Sequence, residues 1–198
     1  MGTIKEVRKM KKLVSILVFL TMMLVGVSSS LAATHTVTKG ETYWKIAVNY
    51  GIPVKKLMSA NNATNSSLWI GQKLSIPASS VSSSEKDLLA RLVEAEAKGE
   101  PYAGKVAVAT VILNRIDSHL FPNTVSSVIY QTGQFTPVSN GTINNPASSS
   151  SKKAVNEALA FHGQGSGSLY FYNPSKTSNK WLRSKAVTTK IGNHVFAK

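Results

Sequence analysis

The run Ala78-Ser79-Ser80-Val81-Ser82-Ser83-Ser84 divides the chain, because a stretch of that composition has little to bury. It reads as a flexible linker over residues 78–84, and the residues on either side must then build separate cores. A small module at residues 34–77 precedes it and a larger domain at 85–198 follows it, which the 198 residues accommodate. Before the module comes a positive cluster, Lys5, Arg8, Lys9, Lys11 and Lys12, then an apolar run from Leu13 to Val27 and the small-residue site Ser30-Leu31-Ala32. That order predicts a secretory signal peptide at residues 1–32, the apolar run being short for a membrane span; the alternative is an uncleaved anchor helix. Cleavage would leave an exported protein with no stable membrane association.

The chain has no cysteine, which excludes disulfides, thiol catalysis and thiolate metal sites. Residues after Ala32 carry 18 Lys and Arg against 8 Asp and Glu, a surplus that favours a polyanionic partner. Export makes an anionic cell wall the expected partner in place of nucleic acid. The histidines His35, His119, His162 and His194 are isolated, without the His-Glu-x-x-His spacing of a zinc hydrolase. No Gly-x-Ser-x-Gly elbow or phosphate-binding loop occurs. Neither a metal nor a cofactor is expected, and the protein is expected to act as a monomer.

The small module reads as strand, helix, helix, strand. His35-Thr36-Val37-Thr38 has strand composition before the Lys39-Gly40 turn, Thr42 caps a helix that Gly51 stops, and Pro53 opens a second helix. The residues Thr36-Val37-Thr38-Lys39-Gly40-Glu41-Thr42-Tyr43-Trp44-Lys45-Ile46-Ala47, Leu57, Asn61 and Ile70-Gly71-Gln72-Lys73-Leu74-Ser75-Ile76-Pro77 closely resemble a LysM domain. Glu41 stands where an aspartate is usual, and Tyr43 where a leucine is common. The resemblance implies binding of N-acetylglucosamine-containing glycans through two loops, with Gly40, Glu41, Thr42, Tyr43, Leu68, Trp69 and Ile70 as candidates. Trp44 and Ile46 read as core residues.

In the larger domain, Ser84-Glu85-Lys86-Asp87 opens a helix that Gly99 and Pro101 end. At about 100° per residue, Leu88, Leu92, Leu89 and Val93 span an apolar arc of about 140°, and Glu96 falls about 80° into it. Asp87, Arg91, Glu94 and Lys98 group on the opposite, solvated side. A carboxyl on an apolar arc is costly to ionise, so its pKa rises. A protonated acid near neutral pH is what glycosidic cleavage requires, although a buried structural glutamate held by arginine or backbone amides fits the wheel equally well.

The stretch Leu88 to Ala109, with Ile112-Leu113-Asn114-Arg115-Ile116, Phe121-Pro122, Val128-Ile129-Tyr130 and Gln134-Phe135-Thr136-Pro137-Val138, resembles the SleB-type, spore-cortex-lytic cell-wall hydrolases. That resemblance implies a mostly helical, lysozyme-like fold, with Glu96 of the Ala95-Glu96-Ala97 motif as the catalytic acid. The whole is expected to be α+β: a βααβ module beside a helical domain with short β-hairpins. Val106 to Ile116 is apolar on nearly all sides and should be a buried central helix. Gln134 to Ile143 reads as a hairpin turning at Asn140-Gly141, and Ile191-Gly192-Asn193-His194 as a closing hairpin.

One acid stands out where a conventional glycosidase needs two. A single acid suffices if it protonates the leaving oxygen and then deprotonates the sugar's own 6-hydroxyl, giving a 1,6-anhydro product. This lytic transglycosylase route on peptidoglycan ranks above hydrolysis, with a non-catalytic wall-binding or spore-coat protein as the competing reading. Glu100 is a supporting candidate, or else orients a neighbour. Gln134, Phe135, Tyr170, Tyr172 and Asn173 are candidates for the substrate groove by residue type. The expected location is the cell wall or spore envelope.

Overall fold

In the computed structural model, which describes residues 33–198, the first module keeps the expected order of elements. The export segment lies outside the described residues. Strand β1 (Ala33–Thr36) pairs antiparallel with β2 (Lys73–Ile76), Thr36 opposite Lys73. Helix α1 (Tyr43–Tyr50) starts where the Thr42 hydroxyl accepts the Lys45 N–H and stops at Gly51, whose φ of +58° suits a residue without Cβ. Helix α2 (Val54–Ala60) follows Pro53. Asn61 then ties α2 to β2: its Nδ2 donates to the Leu57 and Ser75 carbonyls, and its Oδ1 accepts the Ser75 N–H. Val37, Tyr43, Ile46, Leu57 and Leu74 fill the interior.

The larger domain is built on helices. The first, α3 (Ser83–Ala97), opens with a capping box in which Ser82 and Glu85 satisfy each other's backbone N–H. Helix α4 (Tyr102–Asp117) is the expected central helix, with Val108, Ala109, Val111, Ile112 and Leu113 fully buried. Short helices α5 (Val125–Ile129) and α6 (Thr136–Ser139) pack near α3, and α7 (Ser149–Phe161) lies against both α3 and α4. Strand β3 (Tyr170–Tyr172), helix α8 (Lys180–Arg183) and strands β4 (Val187–Ile191) and β5 (His194–Ala197) follow. The antiparallel sheet has the order β3-β5-β4, and Gly192-Asn193 turns the expected closing hairpin. Among the described residues no helix is long and apolar enough to cross a membrane.

Four expectations are corrected. Residues 134–143 are not a hairpin: α6 and a 3-10 turn (Thr142–Asn144) occupy the segment. Gly141 does take a positive φ of +80°, but Pro137 just before it has no N–H for a ladder and suits a first helical turn. The serine run is not a free tether. Val81 is buried in the larger domain's core, Ser82 caps α3, and the Ser79 hydroxyl donates to the Gly51 carbonyl. Serine composition hides one apolar anchor and two serines with defined backbone partners.

Glu94 is the third correction. It does not belong to a solvated face, because its Oε2 accepts hydrogen bonds from the Ser148 and Ser151 hydroxyls with Lys105 Nζ 3.7 Å away. The Ser148 bond first, then that of Ser151, holds its pKa at about 2. Ser148 is itself the N-cap of α7 and Lys105 lies in α4, so one carboxylate joins three helices.

The two modules share an interface. Trp44 does not belong to the small module's interior; its ring meets Phe161 of α7 edge-on at 6.4 Å. Ala160 of α7 packs into the small module's core, and Lys86 Nζ donates to the Tyr50 carbonyl.

Removing the Trp44 ring by Trp44→Ala is expected to speed limited proteolysis at residues 78–82 about fivefold or more, with unchanged far-UV circular dichroism. Glu94 has a depressed folded pKa, so its stabilisation is present above its ordinary value and is lost as pH falls toward 2. Glu94→Gln should therefore lower the melting temperature at pH 7. Melting curves recorded between pH 5 and pH 2 should show the gap from wild type closing.

Candidate functional site

Glu96 lies in the last turn of α3, between exposed Ala95 and buried Ala97. Its carboxyl is half-buried, and among the described residues no group donates a hydrogen bond to it. Burial alone pushes its pKa above the ordinary glutamate range. Glu94, two residues earlier, has the opposite character: donors saturate one of its oxygens and keep it ionised. Both follow from helical geometry, which turns neighbouring carboxylates toward different surroundings.

Two cavities, of about 620 and 470 Å³, meet at Glu96 and Thr136, which line both. The larger is walled by Phe121, Phe135, Tyr170, Phe171 and Trp181. The smaller is polar, with Arg91, Glu94, Lys98, Asn140, Thr142 and Asn145 on its surface. Glu96 thus stands between the two, with an aromatic chamber on one side and a polar chamber on the other.

Of the expected groove residues, Gln134, Phe135 and Tyr170 line the aromatic chamber. Phe135 is mostly buried and stacks on Phe171 at 6.5 Å, so it shapes the wall. Tyr172 and Asn173 line neither cavity. Tyr172 is buried, and Asn173 holds the turn after β3, its Oδ1 accepting the Ser175 N–H. Glu100 is also remote: its carboxylate accepts the Asn193 N–H and Nδ2–H and clamps the closing hairpin. Burial raises its pKa, but those bonds outweigh it and the net shift is downward.

Sequence reasoning missed Arg115 and Trp181. Arg115 is buried on α4; its Nε donates to the Leu169 carbonyl and its Nη1 to Gln134 Oε1. Phe121 and Phe135 lie 4.7 and 5.5 Å from the guanidinium. Desolvation brings its pKa down to about 10. Trp181 is 54% exposed on α8 and meets Tyr170 edge-on at 5.2 Å. A solvent-facing tryptophan within Asn179-Lys180-Trp181-Leu182-Arg183 was the available signal.

In the small module, Gly40, Thr42, Trp69 and Ile70 are at the surface, and the last two are 67% and 69% exposed. Leu68 is half-buried against the module's core. Tyr43 is buried at 3% exposure and is withdrawn as a ligand contact, since the leucine it replaces in the pattern marks a core position. Glu41 serves the loop itself: the Thr38 N–H and His35 Nε2 bind its carboxylate and lower its pKa.

Residues 99–197 match the model of the cell wall hydrolase family, and residues 35–77 match that of the LysM domain. The spore cortex-lytic enzyme of Bacillus cereus is 37% identical over 160 residues, which are 81% of this chain and 61% of that protein. The chain therefore spans about three fifths of that relative's length. The solved catalytic domain of the germination-specific lytic transglycosylase SleB from Bacillus anthracis superposes with a TM-score of 0.58 at 40% identity, covering 62% of this chain and all of that one. The catalytic domain of the Bacillus cereus SleB protein gives 0.57 at 41% identity, covering 61% of this chain and 94% of its own. With a LysM domain at residues 35–77, this chain belongs to the cell wall hydrolase family.

Proposed function

We propose that this protein cuts the glycan strand of peptidoglycan between N-acetylmuramic acid and N-acetylglucosamine, with Glu96 as the single general acid and base. The observation that carries the reading is the half-buried Glu96 carboxyl, without a hydrogen-bond partner among the described residues, between two chambers of a cleft. A glycan strand needs room on both sides of the broken bond, and the two chambers supply it. Desolvation keeps Glu96 protonated until it gives its proton to the glycosidic oxygen. The resulting carboxylate then takes the proton of the muramyl 6-hydroxyl as that oxygen attacks C1. The leaving sugar departs with a free hydroxyl, the muramyl residue closes to a 1,6-anhydro ring, and no water is consumed.

Glu94 is a poor candidate for the second carboxylate of a hydrolytic pair. Ser148 and Ser151 occupy its Oε2, and a pKa of about 2 makes it a weak base. That argues for the transglycosylase route, as does the lytic transglycosylase activity for which the Bacillus anthracis relative is named. The LysM domain holds the same polymer through its exposed loops, and the basic surface suits an anionic wall. The protein is exported, works at the cell wall or spore envelope, acts as a monomer and needs no cofactor.

Glu96→Gln should lower release of soluble muropeptides from purified sacculi by about 10²–10⁴-fold while sacculus binding persists. Mass spectrometry should find 1,6-anhydro ends in the wild-type products. Undiminished release by the variant would rule out the mechanism, and reducing ends would turn it into hydrolysis.

The raised pKa has two measurable signatures. The acid must be protonated, so the alkaline limb of the pH–rate profile should lie above the ordinary glutamate range. For stability the sign is the reverse of Glu94's: the benefit of a neutral Glu96 is complete below its ordinary value and is lost as pH rises through the folded pKa. Glu96→Gln should therefore melt higher than wild type at pH 7, and the two curves should converge below about pH 4.

A further inference from the structure

The aromatic chamber carries positive charge that its own acids do not answer. Arg115 is only 6% exposed, yet among the described residues no carboxylate pairs with it and nothing accepts a hydrogen bond from its Nη2. Lys185 is likewise without a carboxylate among the described residues. Its ammonium lies 4.1 Å from the Trp181 ring centroid and 5.2 Å from that of Tyr170. The Arg115 guanidinium lies 5.9 Å from the same Tyr170 ring. From Pro174 to Lys185 the chain holds Lys176, Lys180, Arg183 and Lys185 and no acid.

Aromatic faces answer such cations in part, but a guanidinium out of water calls for an anion. An exposed indole beside an unpaired ammonium also suits one kind of ligand: a sugar whose apolar face stacks while an attached acid meets the charge. Arg115, Tyr170 and Trp181 all line the cavity that reaches Glu96, and Lys185, itself outside that lining, lies against the Tyr170 and Trp181 rings. The polar chamber differs, since its two cations, Arg91 and Lys98, are matched by two carboxylates: Glu94, ionised on its wall, and Asp87, which pairs with Arg91.

From this asymmetry we infer that the aromatic chamber is the subsite for an acid-bearing sugar of the strand, whose carboxylate is received by Arg115 and Lys185 beside Tyr170 and Trp181. The inference rests on the cleft being a glycan site and adds a direction to it: the acidic residue lies on the Trp181 side of Glu96. The carboxylate has two sources, the lactyl group of the sugar itself or the peptide stem attached to it.

Binding separates the inference from the catalytic reading, because it needs no turnover. Full-length Glu96→Gln protein, with and without Lys185→Met, is titrated by calorimetry with three soluble ligands: strands bearing peptide stems, strands stripped of stems, and neutral chito-oligosaccharides. Lys185 is at the surface, and its methionine substitute keeps the packing stem, so folding is not at stake. Lys185→Met should weaken acidic strands about five- to tenfold relative to the neutral ligand, and Lys185→Arg should restore the preference. Loss confined to stem-bearing strands assigns the peptide carboxylates, loss confined to stripped strands assigns the free lactyl group, and loss with both acidic ligands shows that the subsite takes either carboxylate. An equal loss for all three ligands, or no loss, would overturn the subsite. Absence of cleavage by Glu96-intact protein would instead overturn the catalytic reading and leave the binding result standing.

Discussion

The bonds from Ser148 and Ser151 to the Glu94 carboxylate hold the walls of the cleft together. They join the last turn of α3 to the start of α7, and Lys105 brings in α4. Glu96 comes half a turn later on the same helix, so its direction into the cleft is fixed by whatever fixes α3. The two carboxylates also illustrate how local environment decides chemistry. Hydroxyl donors keep one ionised at neutral pH, and burial with no hydrogen-bond donor among the described residues pushes the other toward neutrality. Adjacent acids would repel and blur these roles if both faced the same medium. Helical geometry separates them without lengthening the chain.

The cleft gains its polarity from elements far apart in sequence. α3 supplies the acid, α6 and the following turn supply the floor of the polar chamber, and β3 with α8 supply the aromatic wall. Arg115 reaches that wall from the central helix, where three aromatic rings and the Leu169 carbonyl offset the cost of burying it. The charge left unanswered is available to a ligand. Such a floor costs stability in the empty state and returns it on binding, a common arrangement where polar recognition must occur out of water.

Glu96 was legible in the sequence because helical periodicity is local: four leucine and valine positions define an arc, and one acid breaks it. The small module was legible for the same reason, its turns and caps being encoded within a few residues of where they act. Glu94 was misread because its partners lie more than fifty residues away, and a wheel drawn for one helix cannot see the cap of another. Arg115 was hidden by the same limit, since a helix apolar on nearly every side gives no hint of which edge meets a cavity. Tyr172 and Asn173 were chosen by residue type, and residue type does not distinguish a ring in the core or an amide in a turn from one in a groove. The serine run misled because composition averages over Val81 and the capping role of Ser82.

That ordered run changes what the LysM domain contributes. A flexible tether would raise the local concentration of glycan around the cleft without constraining its direction. Here α1 rests on α7 through Trp44 and Phe161, Gly51 accepts from Ser79, and Lys86 reaches the Tyr50 carbonyl. A Cβ at Gly51 would come within 2.7 Å of Asn156 Oδ1 and Lys86 Nζ, so those side chains of the larger domain would have to shift to admit it. Trp69 and Ile70 stay exposed, so the surface proposed for glycan is not consumed by the docking. Under the proposed function, the two glycan-binding surfaces are then held at a fixed spacing and angle. Only strands, or neighbouring strands, that match this spacing engage both, so the junction selects for the architecture of the wall as well as for its chemistry.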